Sequence, residues 1–258
     1  MMIELKNDMT NLREIDVVIL CGGLGKRLRP TFEGPKVLAK IGKKTFLDIL
    51  IDNLLMHGFK NIILSVGYLK DQIKNHFNYN YNKSHDCLIT FSEEEEPLGT
   101  GGALKKAKTQ IRSNPFMVVN GDSICKVNFR SFFEFHLEKK ALLSMVLVHS
   151  NKAQDYGSVV LDDLRKITDF NEKITGRGEN IINAGIYLMG KDVFSYMPNM
   201  PKQKKFSLEY ELFPQIIKNR CYGFLTESEL IDIGTPERYE KAINRLKSDT
   251  TDENRKGG

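Results

Sequence analysis

The run Asp16-Val17-Val18-Ile19-Leu20-Cys21, apolar without interruption after its first residue and stopped by Gly22-Gly23, constrains the fold more than any other segment. A strand with one wet face alternates polar and apolar residues, so a continuous apolar run reads as a strand buried on both faces, the habit of parallel sheets. Asn61-Ile62-Ile63-Leu64-Ser65-Val66 and Phe116-Met117-Val118-Val119-Asn120 repeat the pattern, and Leu88 to Ser92 is strand-like. Between these runs, Phe46, Leu47, Leu50, Leu54 and Leu55 form a helical stripe that Gly58 ends, and Leu69 to Phe77 and Gly102 to Ile111 also read as helices. Strands alternating with helices predict an α/β fold with a doubly wound sheet.

Beyond Phe129 to Lys140, predicted helical, the chain turns strand-rich at Leu142 to His149, Ser158 to Leu161, Lys166 to Phe170 and Ile181 to Met189. Leu208 to Asn219 and Pro236 to Leu246 read as closing helices, and residues 248–258 as a polar, disordered tail. Without an internal repeat or a low-complexity linker, one compact domain over residues 14–247 is expected.

A chain of 258 residues with 41% apolar and 28% charged residues can bury such a core, so disorder is not expected. No apolar run reaches the roughly 18 residues that span a bilayer. Met1 to Asp8 lacks the charged region and apolar core of a signal peptide, so a cytoplasmic location without a membrane partner is expected. Cys21, Cys87, Cys125 and Cys221 stand far apart without CxxC or Cys/His pairing, which predicts reduced core thiols rather than a zinc site or disulfides. The net charge of +5 is spread along the chain with no basic block among aromatics, which favours a small anion over nucleic acid. The densest basic cluster, Lys202-Gln203-Lys204-Lys205, reads as a solvated loop without a role.

Gly22, Gly23 and Gly25 follow a buried strand directly, and without Cβ atoms their amides can approach phosphate oxygens. Ligands of open parallel sheets sit beyond the carboxyl ends of the strands, which is where this loop must lie. Gly22-x-x-Gly25 fits neither the dinucleotide fingerprint, which needs a third glycine opening a helix, nor a P-loop, which needs GK[ST]. Lys26 and Arg27 within the loop and Lys36 shortly after it, with Glu33 as the acidic neighbour, call for an anion such as a triphosphate.

Gly22-Gly23-Leu24-Gly25-Lys26-Arg27-Leu28-Arg29-Pro30 followed by Pro35-Lys36 resembles the GGxGxRLxP and PK signature of the nucleoside-diphosphate-sugar pyrophosphorylases, the sugar-1-phosphate nucleotidyltransferases. Five further blocks extend the resemblance from about Asp16 to Tyr239. They are Glu96 to Ala103, Asn120-Gly121-Asp122, Phe170-Asn171-Glu172-Lys173, Asn183-Ala184-Gly185-Ile186-Tyr187 and Asp232-Ile233-Gly234-Thr235-Pro236. The resemblance implies a Rossmann-like mixed sheet of the glycosyltransferase-A-like kind, with residues 14–126 as the nucleotide-binding half and 127–247 as the sugar-binding half. It also implies that a sugar 1-phosphate attacks the α-phosphorus of a nucleoside triphosphate and releases pyrophosphate.

By that resemblance Arg27 holds the β- and γ-phosphates and Lys36 neutralises oxygens around the α-phosphate, neither acting as a nucleophile. Leu20, Gly22, Gly23, Gly25, Lys26, Pro97, Gly99 and Thr100 would surround the nucleotide. Gly121, Tyr156, Gly157, Glu172, Lys173 and Asn183 would meet the sugar. Lys26 stands where the family commonly has a threonine or another small residue.

Asp122 follows a buried strand behind a glycine, so its carboxylate should stand at the sheet edge beside the phosphates, and Asp232 after Leu230-Ile231 supplies a second. Magnesium prefers one or two carboxylates together with phosphate oxygens and waters. Either aspartate alone reads as a turn or cap residue; the resemblance makes both the Mg²⁺ pair, with Asp122 catalytic as well. Asp48, early in its helix, reads as a dipole partner rather than a ligand.

The run Glu93 to Glu96 alone would be a solvated loop. In the resembled family, thymidylyl members place a glutamine near this position, whereas guanylyl members carry an acidic residue and the Pro-Leu-Gly-Thr continuation. A carboxylate accepts from the N1–H and the amine of guanine together, so Glu94 is expected to read guanine and GTP is the expected nucleotide. The combined blocks look most like guanylyl members that act on heptose or mannose 1-phosphates. The same residues oppose two other classes: a catalytically silent nucleotide-sugar-binding paralogue would not need Arg27, Lys36, Asp122 and Asp232, and a Rossmann oxidoreductase needs a different loop. Homo-oligomerisation is left open.

Overall fold

Val17 and Ile19 pack into one hydrophobic core and Val18, between them, into another. A strand whose two faces both meet apolar layers has no polar side, which accounts for the unbroken run. A computed structural model describes residues 11–150, 156–171, 180–198 and 205–252 of the chain.

The strands are β1 Asp16–Leu20, β2 Lys40–Ile41, β3 Lys44–Thr45, β4 Asn61–Val66, β5 Leu88–Glu93, β6 Phe116–Asn120 and β7 Ser123–Cys125, followed by β8 Leu143–Ser150, β9 Ser158–Leu161, β10 Ile167–Asn171, β11 Asn180–Met189, β12 Cys221–Thr226 and β13 Leu230–Asp232. Among the described residues, nine of them form one sheet, with β10, β9, β11, β6, β1, β4 and β5 in order and β8 and β12 joined through β11. The β6, β1, β4 and β5 part is parallel, as expected; β11 joins β6 antiparallel and brings the strand-rich second half onto the same sheet. The fold is thus a single α/β domain on a mixed sheet.

Helices cover both faces. Phe46–Met56 places Phe46, Leu47, Leu50 and Leu54 in the first core. Gly99–Ala107 contributes Leu104 and Ala107 to the second. The first of these helices starts at a reciprocal cap, in which Thr45 Oγ1 accepts the Asp48 amide at 3.0 Å and Asp48 Oδ2 accepts the Thr45 amide at 2.7 Å. Asp48 Oδ1 also meets His76 Nε2 at 2.7 Å, so the residue is a structural cap.

The expected helix over Leu208 to Asn219 is instead a π turn, Leu208–Leu212, followed by a short α-helix, Phe213–Ile216. Pro214, at the start of that helix, has no amide hydrogen to continue a regular ladder. The last helix runs past Leu246 to Asp252. All four cysteines are free, as expected, and three are buried. No helix among the described residues is long and apolar enough to cross a membrane.

Candidate active site

The amide of Cys21 donates to Ser65 O at 2.8 Å and that of Gly121 to Leu20 O at 3.1 Å, so the carboxyl ends of β1, β4 and β6 finish together. The loops that leave them, Gly22 to Arg27 and Gly121-Asp122, therefore meet at one sheet edge, the place where ligands of such sheets bind.

A cavity of about 360 Å³ opens there. Leu20, Gly22, Gly23, Pro97, Gly99 and Thr100, all expected at the nucleotide, line it together with Glu94, Lys36 and Asp122. Gly25 and Lys26 do not. Gly25 instead turns the loop at φ +58°, with Lys36 Cβ 3.2 Å from where a side chain would begin, and Lys26 is exposed. A second cavity of about 150 Å³ adjoins the first, with Arg27, Asp122, Tyr156, Gly157, Asn183 and Asp232 in its wall. Gly121 lines neither cavity and packs beneath them, against Leu20 O and Cys21 Sγ. Glu172 and Lys173 lie outside the described residues.

Asp122 belongs to both walls. Its Oδ2 forms an ion pair with Lys36 Nζ, and the carboxylate keeps one third of its surface exposed. Enclosure works to raise its pKa, but the charge and hydrogen bond of Lys36, helped by Arg27, outweigh it and hold Asp122 below the usual carboxylate range. Arg27 makes no side-chain hydrogen bond among the described residues, so its guanidinium is available to an anion.

Strand β13 pairs antiparallel with β7 in the register Asp232 to Ser123, which sets Asp232 beside Asp122. Asp232 is only 8% exposed. One oxygen accepts the Tyr156 hydroxyl, and the other takes the Gly234 amide at 2.8 Å and Arg238 Nη1 at 3.3 Å. Arg238 lies 4.6 Å over the Tyr156 ring. No group of three or more His, Cys, Asp or Glu residues shaped to hold a metal occurs among the described residues. The oxygen pair at Asp122 and Asp232, facing a cavity rimmed by cations, matches what a hard divalent ion takes when phosphates supply its other ligands.

Glu94 is the acidic residue of its run that turns inward, at 6% exposure, whereas Glu95 and Glu96 remain exposed. Its Oε2 accepts the Leu98 amide at 2.9 Å. Its Oε1 lies so close to Gly22 that a Cβ there would stand 2.4 Å away. Burial pushes the Glu94 carboxyl above its usual range, against the opposing pull of the Leu98 amide and Lys106.

Asn183 sits at an irregularity of β11, where pairing with β8 shifts between Asn183 and Tyr187. Its amide group donates to the Tyr187 hydroxyl at 2.7 Å, and its oxygen accepts the Gly185 amide at 2.9 Å. These bonds fix the side chain at the rim while leaving one N–H and one lone pair.

Sequence reasoning misses Asn120, shared by both cavities, and Lys205, which lines the first although its basic cluster has the pattern of a solvated loop. It also misses Glu209 and Arg238 in the second. Arg238 lies in the first turn of the helix after Asp232, a spacing that could have signalled it; Lys205 and Glu209 come from a distant segment with no motif.

Residues 16–249 match the nucleotidyl transferase family. The chain is 38% identical over 234 residues to D-glycero-alpha-D-manno-heptose 1-phosphate guanylyltransferase of Aneurinibacillus thermoaerophilus, a match covering 90% of this chain and 98% of that protein. Mannose-1-phosphate guanyltransferase of Yarrowia lipolytica is 35% identical over 86% of this chain, which spans 61% of that longer protein. The crystal structure of HddC from Yersinia pseudotuberculosis complexed with GMP-PN has the same fold, with a TM-score of 0.78 at 35% identity, covering 90% of this chain and 99% of the other. Family, fold and the residues gathered at the sheet edge agree: the chain is an enzyme of the nucleotidyl transferase family.

Proposed function

We propose that the enzyme transfers GMP from GTP to D-glycero-α-D-manno-heptose 1-phosphate, releasing pyrophosphate and forming the GDP-heptose. The observation that carries this reading is Asp122, a carboxylate common to two adjoining cavities, one beside Glu94 and the other beside Asn183 and Asp232. Two anionic substrates lying in those cavities would meet at Asp122 and Lys36.

In this reaction an oxygen of the sugar phosphate forms a bond to the α-phosphorus of GTP as the bond from that phosphorus to the bridging β-oxygen breaks, and pyrophosphate leaves. Lys36 lies at the junction and offsets the repulsion between the two phosphates. Arg27 offers its uncommitted guanidinium to the departing pyrophosphate. Asp122 and Asp232 would hold magnesium, which when bound supplies charge neutralisation to the phosphates. Arg238 and Tyr156 keep Asp232 oriented toward that position. Glu94 would accept from guanine N1–H and its amine, which supports GTP over pyrimidine nucleotides. The similarity to the heptose 1-phosphate guanylyltransferase of Aneurinibacillus thermoaerophilus supports the sugar. On this reading the product is an activated sugar for surface polysaccharide synthesis, made in the cytoplasm.

Pyrophosphate release from each nucleoside triphosphate paired with each of several sugar 1-phosphates tests the assignment. GTP with the heptose 1-phosphate should be fastest, and chelation with EDTA should abolish turnover until magnesium is restored. A preference for mannose 1-phosphate would favour the second reading, mannose-1-phosphate guanylyltransferase, which the Yarrowia relative supports. No release with any pair would overturn both.

A further inference from the structure

Glu209 stands in the wall of the cavity that contains Asp122 and Asp232. Its Oε2 accepts Thr100 Oγ1 at 2.6 Å and Ser207 Oγ at 2.7 Å. Thr100 Oγ1 in turn accepts the Leu208 amide at 2.9 Å, while Thr100 itself lines the other cavity. Around this contact the amides of Gly101 and Gly102 donate to Phe206 O at 2.9 and 3.0 Å, and the Phe206 amide donates to Leu98 O at 2.8 Å. The segment bearing Glu209 is thus pinned to the first turn of the helix Gly99–Ala107, so the carboxylate has little freedom to reorient.

Glu209 Oε1 accepts no hydrogen bond among the described residues. A half-buried carboxylate with one oxygen tied to two hydroxyls and the other uncommitted is an acceptor prepared for a neutral donor. A phosphate would be repelled by it, whereas a hydroxyl group would be bound and oriented. Arg238, a cation in the wall of the same cavity, suits the phosphate instead.

We propose that Glu209 accepts a hydrogen bond from a hydroxyl of the sugar 1-phosphate, and that Thr100 is the positioning residue that orients it from the nucleotide side. The assignment rests on the sugar-phosphate transfer proposed above. It gives Thr100 a role other than direct contact with the nucleotide, and it links the walls of the two substrate cavities through one hydrogen bond.

Steady-state kinetics of the full-length enzyme test this, using GTP and the sugar 1-phosphate that the wild type turns over best. Glu209→Gln keeps the size of the side chain but replaces one acceptor oxygen by a donor; it should raise KM for the sugar phosphate about tenfold or more. KM for GTP should change by less than about twofold, since no charge-assisted bond to the nucleotide is lost. Thr100→Val should act in the same direction by about threefold, and Thr100→Ser, which restores the hydroxyl, should recover the wild-type value. An unchanged sugar-phosphate KM in Glu209→Gln, or a rise confined to the GTP KM in Thr100→Val, overturns the assignment and leaves the transfer reading intact. Absence of wild-type turnover with every sugar phosphate overturns the transfer reading and the assignment together. If Glu209→Gln does not fold, the Thr100→Val and Thr100→Ser pair decides by the same criteria.

Discussion

The carbonyl oxygen of Asp122 accepts the Ile233 amide at 3.1 Å, and this backbone bond sets the carboxylates of Asp122 and Asp232 on one rim. Strands β7 and β13, which carry the pairing, are three residues each and form a sheet of their own beside the main one. Residues over a hundred positions apart in the chain thereby share one site. Replacing Asp232 by Asn keeps its shape and its bond from the Gly234 amide, but removes a charge that Arg238 and Tyr156 now meet. Turnover should fall by about a hundredfold or more, as when a charge-stabilising group leaves an active site. Circular dichroism should stay that of the wild type, and full activity in this variant would remove Asp232 from the proposed metal pair.

Base selectivity should follow Glu94. Glu94→Gln preserves an acceptor for the Leu98 amide, so folding should survive, while the doubly accepting carboxylate is lost. The ratio of kcat/KM for GTP over UTP should drop by about tenfold or more, the cost of one charge-assisted hydrogen bond. An unaltered ratio means that another group reads the base.

Gly22→Ala offers an independent approach to the same carboxylate. The new methyl would stand 2.4 Å from Glu94 Oε1, and either the loop or the carboxylate must shift. A stability loss of about 1–3 kcal/mol is expected from such overpacking. It should come with weakened GTP binding, and both are measurable, by denaturant unfolding and by titration calorimetry. Wild-type values for both would show that Glu94 does not sit against this glycine in solution.

How far the sequence discloses this arrangement differs by element. The Asp16–Leu20 strand and its glycine loop are legible because burial on both faces writes an unbroken apolar run, and the loop's position follows from strand direction. Glu94 is half legible: its chemistry is in the Glu93 to Glu96 run, but which of the four turns inward depends on the fit against Gly22 and Leu98. Glu209 is not legible, since its role arises from docking against Thr100, and that contact spans more than a hundred residues. The strands Cys221–Thr226 and Leu230–Asp232 escape a periodicity reading as well, because they are short or only partly buried.

Acid should destabilise the protein through His136. The imidazole is 3% exposed, and its Nδ1 and Ser144 Oγ share a hydrogen bond at 2.9 Å. Burial lowers its pKa from 6.5 to about 4. The folded state therefore holds His136 neutral while the unfolded chain takes up a proton below pH 6.5, so its contribution is complete above that pH and is lost as pH falls toward 4. The loss amounts to roughly 3 kcal/mol, from about 1.4 kcal/mol per pH unit. Urea unfolding of His136→Gln should show a flatter stability profile between pH 6.5 and 4 than the wild type; parallel profiles would contradict the assignment.

Thr45→Ala should cost about 1 kcal/mol by removing one half of the reciprocal cap of the helix Phe46–Met56. In a domain of this size that corresponds to a Tm lower by roughly 2–4 °C in scanning calorimetry. An unchanged Tm would mean that the cap contributes nothing to stability.

If the two phosphates meet where Lys36 holds Asp122, at the junction of the two cavities, turnover should depend on that carboxylate. Magnesium-dependent pyrophosphate release from GTP and the sugar 1-phosphate, compared between wild type and Asp122→Asn, tests it most directly. The wild type should release pyrophosphate rapidly and only with both substrates present, and the folded variant should lose at least about a thousandfold. Comparable rates in the two proteins would contradict it.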